Sequence, residues 1–95
     1  DYAIFNGGGH TQALGRYQFI PSTFAELGYL DYTGGSRKNW SSYSFSAEAR
    51  AKGVSSLDDL RYSDAGMRLQ DEGFARFTNR NWSALSGSTR GQVGN

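Results

Sequence analysis

Four consecutive residues of unlike chemistry, Gly15-Arg16-Tyr17-Gln18, stand directly before the apolar pair Phe19-Ile20 and Pro21. A core strand needs no charge or amide, and a plain surface turn needs no aromatic ring. A glutamine amide both donates and accepts hydrogen bonds. A tyrosine adds a ring face and a hydroxyl, an arginine pairs with carboxylates, and glycine lets another backbone or a ligand come close. Such a set reads as part of a polar binding surface, or more plainly as a tight turn before a helix. Two further amides, Gln70 and Asn81, interrupt an apolar helical stripe later in the chain. For Gln70 two readings stand: a buried or boundary amide satisfied by backbone, or an amide that the helix turns, with Asn81, toward a polar cleft.

Other chemistries find less support. The run Gly7-Gly8-Gly9-His10 lacks the Gly-Lys-Ser/Thr ending of a phosphate loop, and Gly15 is followed by Arg16-Tyr17. His10 is the single histidine and cysteine is absent. No transition-metal site is therefore expected, nor a disulfide framework, and no motif calls for a cofactor. No serine sits in a nucleophile-elbow pattern. Asn-Trp-Ser occurs at Asn39 and Asn81, which matters only for a chain that meets a glycosylation machinery. Arg37-Lys38 reads as a solvated turn.

The chain of 95 residues allows one domain, and a net charge of +1 gives no footprint for nucleic-acid binding. No apolar run approaches the ~20 residues of a membrane span. Aromatic residues reach 15%, with six Tyr, six Phe and two Trp, an excess that suits both a compact core and a sugar-stacking surface.

The elements that would position the polar residues follow from local signals. Residues 1–20 are rich in glycine with scattered aromatics and read as loop and extended segments. Pro21 suits the first turn of a helix, which carries Phe24 and Leu27 and stops at Gly28. Residues 29–45 have no helical period and predict a long aromatic loop or a short hairpin. Ser46 caps a short helix with Glu48 in its first turn, Lys52 in its last and Gly53 beyond. Ser55 and Ser56 start another turn or two through Leu57 and Leu60. From Ser63 onward, Met67, Gln70, Phe74, Phe77 and Asn81 recur at spacings of 3, 4, 3 and 4, one stripe of a helix. On this pattern Met67, Phe74 and Phe77 are expected core residues.

The stretch "ALGRYQFIPSTF", residues 13–24, resembles the motif that follows the catalytic helix in phage endolysins and tail lysozymes of the lysozyme-like superfamily. Lytic transglycosylases carry a comparable Gly-x-x-Gln before an apolar-Pro-x-Thr helix start. "NRNWSALSGSTRGQ", residues 79–92, is similar to the stretch near the end of lambdoid-phage endolysins, and "LQDEGFARF", residues 69–77, to the Gln-led helix of phage-tail relatives. The resemblance implies a mainly helical, lysozyme-like α+β domain over residues 1–95, part of a longer protein. The implied activity is cleavage of the β-1,4 bond between N-acetylmuramic acid and N-acetylglucosamine in peptidoglycan, by hydrolysis or transglycosylation. Glycan strands are the implied partner, with other tail or virion proteins, at the bacterial cell wall. Gly15, Arg16, Tyr17 and Gln18 would then be substrate-binding residues, joined by Gln70 and Asn81.

Glycan cleavage needs a carboxylic acid of raised pKa to protonate the leaving oxygen. In the resembling proteins this is a Glu on a helix before the motif, followed by an Asn/Asp-aromatic pair, which Asp1-Tyr2 resembles. The acid is thus expected upstream of Asp1. Glu26, Glu48 and Glu72 match the family position poorly, and Glu72 lies about 200° around its helix from Gln70. The reading from another class is a non-catalytic glycan-binding or structural module that stacks sugars on Tyr17, Trp40 and Tyr43.

Overall fold

The computed structural model describes residues 1–7 and 11–85, with side chains described as far as residue 80. Two residues, Phe5–Asn6 (β1), pair antiparallel with Ala13–Leu14 (β2). The chain then makes a tight turn over Gly15–Gln18, closed by an antiparallel bridge in which Leu14 and Phe19 exchange both main-chain hydrogen bonds, at 2.8 and 2.9 Å. Pro21 opens helix α1 (Pro21–Glu26), where its fixed φ fits and its missing N–H costs nothing. Gly28, with φ of 98°, ends that helix as the sequence predicts.

The segment 29–45 is the hairpin, not the long loop. Leu30–Tyr32 (β3) pairs antiparallel with Tyr43–Phe45 (β4), with Leu30 opposite Phe45 and Tyr32 opposite Tyr43. A 3-10 turn over Trp40–Ser42 leads into the second strand. Both serine caps form. The Ser46 hydroxyl accepts from the Ala49 N–H at the start of α2 (Ala47–Ala51), and the Ser56 hydroxyl accepts from the Asp59 N–H at the start of α3 (Leu57–Tyr62). Ser46 also donates to the Gly28 carbonyl at 2.6 Å, so one hydroxyl joins the end of α1 to the start of α2. The chain closes on its longest element, α4 (Asp64–Leu85). The result is a small α+β domain with two small antiparallel sheets.

Phe24 is the centre of the core. Its ring lies 5.2 Å from Phe19, 4.8 Å from Tyr29 and 5.6 Å from Trp40, all in tilted contact, an arrangement that suits the aromatic quadrupole. Leu14, Leu27, Leu30, Phe45, Ala49, Val54, Leu60 and Leu69 complete the buried cluster.

The buried face of α4 differs from the stripe expected from the sequence. Gly66, Leu69, Gln70 and Gly73 are buried, Met67 and Phe77 are half-buried, and Phe74 is 44% exposed. The reason is steric. A methyl group on Gly66 would meet the Asp59 and Leu60 carbonyl oxygens at 2.0 and 2.4 Å, so α4 packs its bare backbone against the end of α3. Two turns further on, Gly73 gives the rings of Phe19, Phe24 and Tyr29 their place at 3.3–3.5 Å from where a Cβ would stand. A count of apolar side chains overlooks a face made of glycine, and it therefore placed Phe74 inward. Phe74 instead stacks on Tyr17 at the surface, with centroids 4.3 Å apart and planes within 8°.

This packing sets the ranking of α4 variants. Leu69→Ala is expected to cost about 2–5 kcal/mol, the range for a buried leucine, and Gly66→Ala about 1–3 kcal/mol through overpacking. Phe74→Ala is expected to cost less than Leu69→Ala, because the ring retains much of its water contact. Urea unfolding of the three variants measures the order; Phe74→Ala as the most damaging would restore the stripe expected from the sequence.

Candidate functional site

The turn Gly15–Gln18 is held from its inner side by α4. The fully buried side chain of Gln70 accepts at Oε1 from the Arg16 N–H at 3.0 Å, and its Nε2 donates to the carbonyls of Tyr2 at 3.0 Å and Leu60 at 2.9 Å. Both amide hydrogens and one carbonyl lone pair are thus committed to main chain. Of the two readings of Gln70, the structure has the backbone-satisfied one, which leaves no donor for a ligand. Gly15 makes the contact possible: its φ is 84°, and a Cβ there would stand 2.2 Å from Gln70 Oε1. Glycine is required at this position on both counts.

A second grip lies at the rim. The Asp71 carboxylate accepts from the Tyr17 hydroxyl at 2.7 Å and from the Tyr2 hydroxyl at 2.9 Å. Arg16 donates from Nη1 to the Tyr2 hydroxyl at 3.0 Å and lies 5.6 Å from the Tyr2 and Tyr17 ring centroids. Hydrogen bonding from Tyr17 lowers the pKa of Asp71 below its ordinary value, with Tyr2 and Arg16 adding to the effect. The same bond raises the pKa of Tyr17. The sequence does not single out Asp71, and it marks Tyr2 only as the aromatic partner of Asp1. The one available signal is that Asp71 directly follows Gln70.

On the outer side of the turn, Gln18 is exposed and has a φ of 52°, the one positive value at a non-glycine position among the described residues. Its Nε2 donates to the Gly15 carbonyl at 2.8 Å, and its Oε1 accepts from the Asn6 amide. The expectation was that Tyr17 and Gln18 would both line a surface with the last helix. Tyr17 does contact α4, through Asp71 and Phe74, whereas the side-chain partners of Gln18 are Asn6 and Gly15. The Arg16 side chain is exposed. The side chain of Asn81 lies outside the described residues, as does His10.

Glu48 and Glu72 are both engaged by cations. Glu72 accepts from Lys52 Nζ at 2.7 and 2.9 Å, from the Tyr29 hydroxyl, and from Arg76 at 3.4 Å. These bonds, that of Lys52 foremost, hold its pKa below the ordinary value. Glu48 is lowered in the same way, chiefly by Arg76, which donates to it at 2.9 and 3.3 Å. Burial, with the bond to Glu72, raises the pKa of the Tyr29 hydroxyl. Glu26 is exposed on α1. A general acid needs the opposite shift, so Glu48 and Glu72 serve as ion-pair partners that tie α4 to α2 and to Tyr29. Trp40, one of the three rings proposed for sugar stacking in the binding-module reading, is only 3% exposed, with its indole N–H donating to the Gln12 carbonyl at 3.2 Å. Tyr43 is half-buried and donates to the Arg37 carbonyl at 2.8 Å.

Comparison of the chain with known protein families, with curated proteins and with solved structures finds no match. Among the described residues no group of His, Asp or Glu has the arrangement of a metal site, and no helix is long and apolar enough to cross a membrane.

Replacing Gln70 by Leu keeps its bulk and strands the Arg16 N–H and the Tyr2 and Leu60 carbonyls. It should cost about 2–5 kcal/mol and loosen the turn, read as faster hydrogen exchange at the Arg16 amide; an unchanged exchange rate would show that the turn holds itself. The carboxylates set an acid limit. Each of Asp71, Glu48 and Glu72 has a folded-state pKa below its unfolded value, so its stabilisation is complete above the ordinary carboxylate pKa of about 4 and is lost as pH falls through the folded value. Urea midpoints should hold between about pH 7 and 5 and fall below about pH 4. Glu72→Gln should flatten that fall, and an equally steep fall in the variant would remove Glu72 from its cause.

Proposed function

We propose that the protein acts on peptidoglycan as part of a lysozyme-like glycosidase that cleaves the bond between N-acetylmuramic acid and N-acetylglucosamine, at the bacterial cell wall and as a component of a phage lysis or tail apparatus. The observation that carries this reading is Gln18: an exposed amide in a left-handed backbone conformation, on a turn whose inner side is locked to α4. Strained backbone that surrounding structure over-determines collects at functional sites. The resemblance of "ALGRYQF" to the endolysin motif assigns the same residue to the glycan. An amide that donates and accepts suits sugar hydroxyls and acetamido groups. The Asn6 amide beside it and the Tyr17–Phe74 stack offer a polar and an aromatic neighbour.

The acid in this reading comes from the segment that the resemblance places ahead of Asp1. It protonates the glycosidic oxygen as the bond to the anomeric carbon breaks. Water or the 6-hydroxyl of the muramic acid adds to that carbon and gives its proton back to the carboxylate, the second route needing no other carboxylate. Gln18 orients the sugar and takes no proton.

Release of muropeptides from purified cell walls tests the proposal. The 95-residue chain is expected to be inert, and a chain extended through the preceding helix active. Changing that helix's glutamate to glutamine should abolish release while leaving sugar binding. In the extended chain, Gln18→Ala should lower turnover by about ten- to a thousand-fold, the scale of a lost positioning donor. Release by the short chain alone would make Glu26, Glu48 or Glu72 the acid. An extended chain that binds chitooligosaccharides without cleaving walls would make the protein a binding module.

A further inference from the structure

A groove between α1 and the β3–β4 hairpin takes no part in the site above. It holds about 350 Å³ and is lined by Ser22, Ala25 and Glu26 on one wall and by Tyr32, Arg37 and Tyr43 on the other. The two tyrosines meet edge to face, with centroids 5.6 Å apart. Their hydroxyls are tied to loop carbonyls, Tyr32 to Gly35 at 2.5 Å and Tyr43 to Arg37 at 2.8 Å. These bonds fix the rings and the loop that carries Arg37 together. The Arg37 guanidinium lies 3.8 Å from the centroid of the Tyr32 ring. Among the described residues, neither Arg37 nor Glu26 has an ion-pair partner.

We propose that this groove binds the peptide stem of peptidoglycan, Arg37 taking a stem carboxylate and Glu26 the free amine of its diamino acid. The inference rests on the reading that the polymer is peptidoglycan. Three features select a zwitterionic peptide over a sugar. A cation on one wall and an anion on the other match a ligand that carries both charges, whereas the acetylated sugars of the glycan carry no amine. The exposed face of Tyr32, the natural stacking platform for a sugar ring, is already covered by Arg37. A guanidinium held over a ring face by cation–π contact keeps N–H groups for a carboxylate, while the tyrosine rings offer apolar contact to the aliphatic part of the stem.

The test is an NMR titration of the chain with two probes: the sugar-free tetrapeptide L-Ala-γ-D-Glu-meso-diaminopimelyl-D-Ala, and chitotetraose. The tetrapeptide is expected to shift the Tyr32 and Tyr43 resonances and chitotetraose those of Gln18 and Asn6. Arg37→Gln should weaken the tetrapeptide about tenfold. Glu26→Gln should weaken it too, but leave a peptide acetylated on its amines unaffected. Both positions are exposed, so the variants are expected to fold. Silence at Tyr32 and Tyr43 up to about 10 mM peptide, or equal affinity for both variants and the parent, overturns the inference even if chitotetraose binds and walls are cleaved. Tetrapeptide binding that both variants weaken, with chitotetraose silent and the extended chain inert, supports the groove and removes the glycosidase reading instead.

Discussion

The buried amide of Gln70 is the contact on which the rest of the structure depends. It sits on α4, has no exposed surface, and bonds three main-chain groups from three separate segments: the N-terminal stretch at Tyr2, the turn at Arg16 and the last part of α3 at Leu60. The β1–β2 pair joins the first two of these segments, and the amide ties both of them to α3. Each main-chain group would be an unpaired polar group at the domain interior without the amide, and the amide would be unpaired without them. The dependence is mutual, so a small chain with only two short hairpin sheets has a single arrangement of its N-terminal half against its last helix.

The residues after Gln70 extend the same logic. Successive positions on a helix point about 100° apart, so Gln70, Asp71 and Glu72 face three directions. Gln70 takes the main chain of the turn, Asp71 the tyrosine hydroxyls at its rim, and Glu72 the Tyr29 hydroxyl and Lys52 at the end of α2. Three consecutive polar residues thereby connect one helix to the N-terminal stretch, the turn, α3, Tyr29 and the end of α2. Arg76, one turn on, repeats the pattern by bonding the Leu27 carbonyl at 2.9 Å together with Glu48. The glycines of the same helix do the complementary work by letting the backbones approach until these short side chains reach.

What the sequence makes legible divides along that line. Capping is written in a few adjacent residues, so Pro21, Ser46 and Ser56 mark the starts of α1, α2 and α3 in the sequence as they do in the structure. The existence of α4 is equally plain. Its buried face is not, because two of its buried positions, Gly66 and Gly73, contribute by having no side chain, and hydrophobic periodicity counts only what is present. Nor does the sequence tell which of its readings Gln70 follows. That choice is made by Tyr2 and Arg16, 68 and 54 residues away, whose main-chain groups carry no mark in a one-dimensional pattern.

The same division bears on the turn at Gly15–Gln18. Its inward-facing parts, the bare Cα of Gly15 and the N–H of Arg16, are consumed in holding the fold, which accounts for the glycine without any ligand. They do not account for Gln18. A non-glycine residue in the left-handed region costs of order 1 kcal/mol or more, and an asparagine or glycine would fill the fourth position of this turn with less strain. The Gln18 amide, bonded on one side to Asn6 and on the other to the Gly15 carbonyl, is exposed and adds no packing to the core. The clamp of Gln70 and Asp71 holds the two residues before Gln18 in the turn, Arg16 and Tyr17. The residue kept there at a cost to the fold is the one whose side chain reaches the surface already oriented.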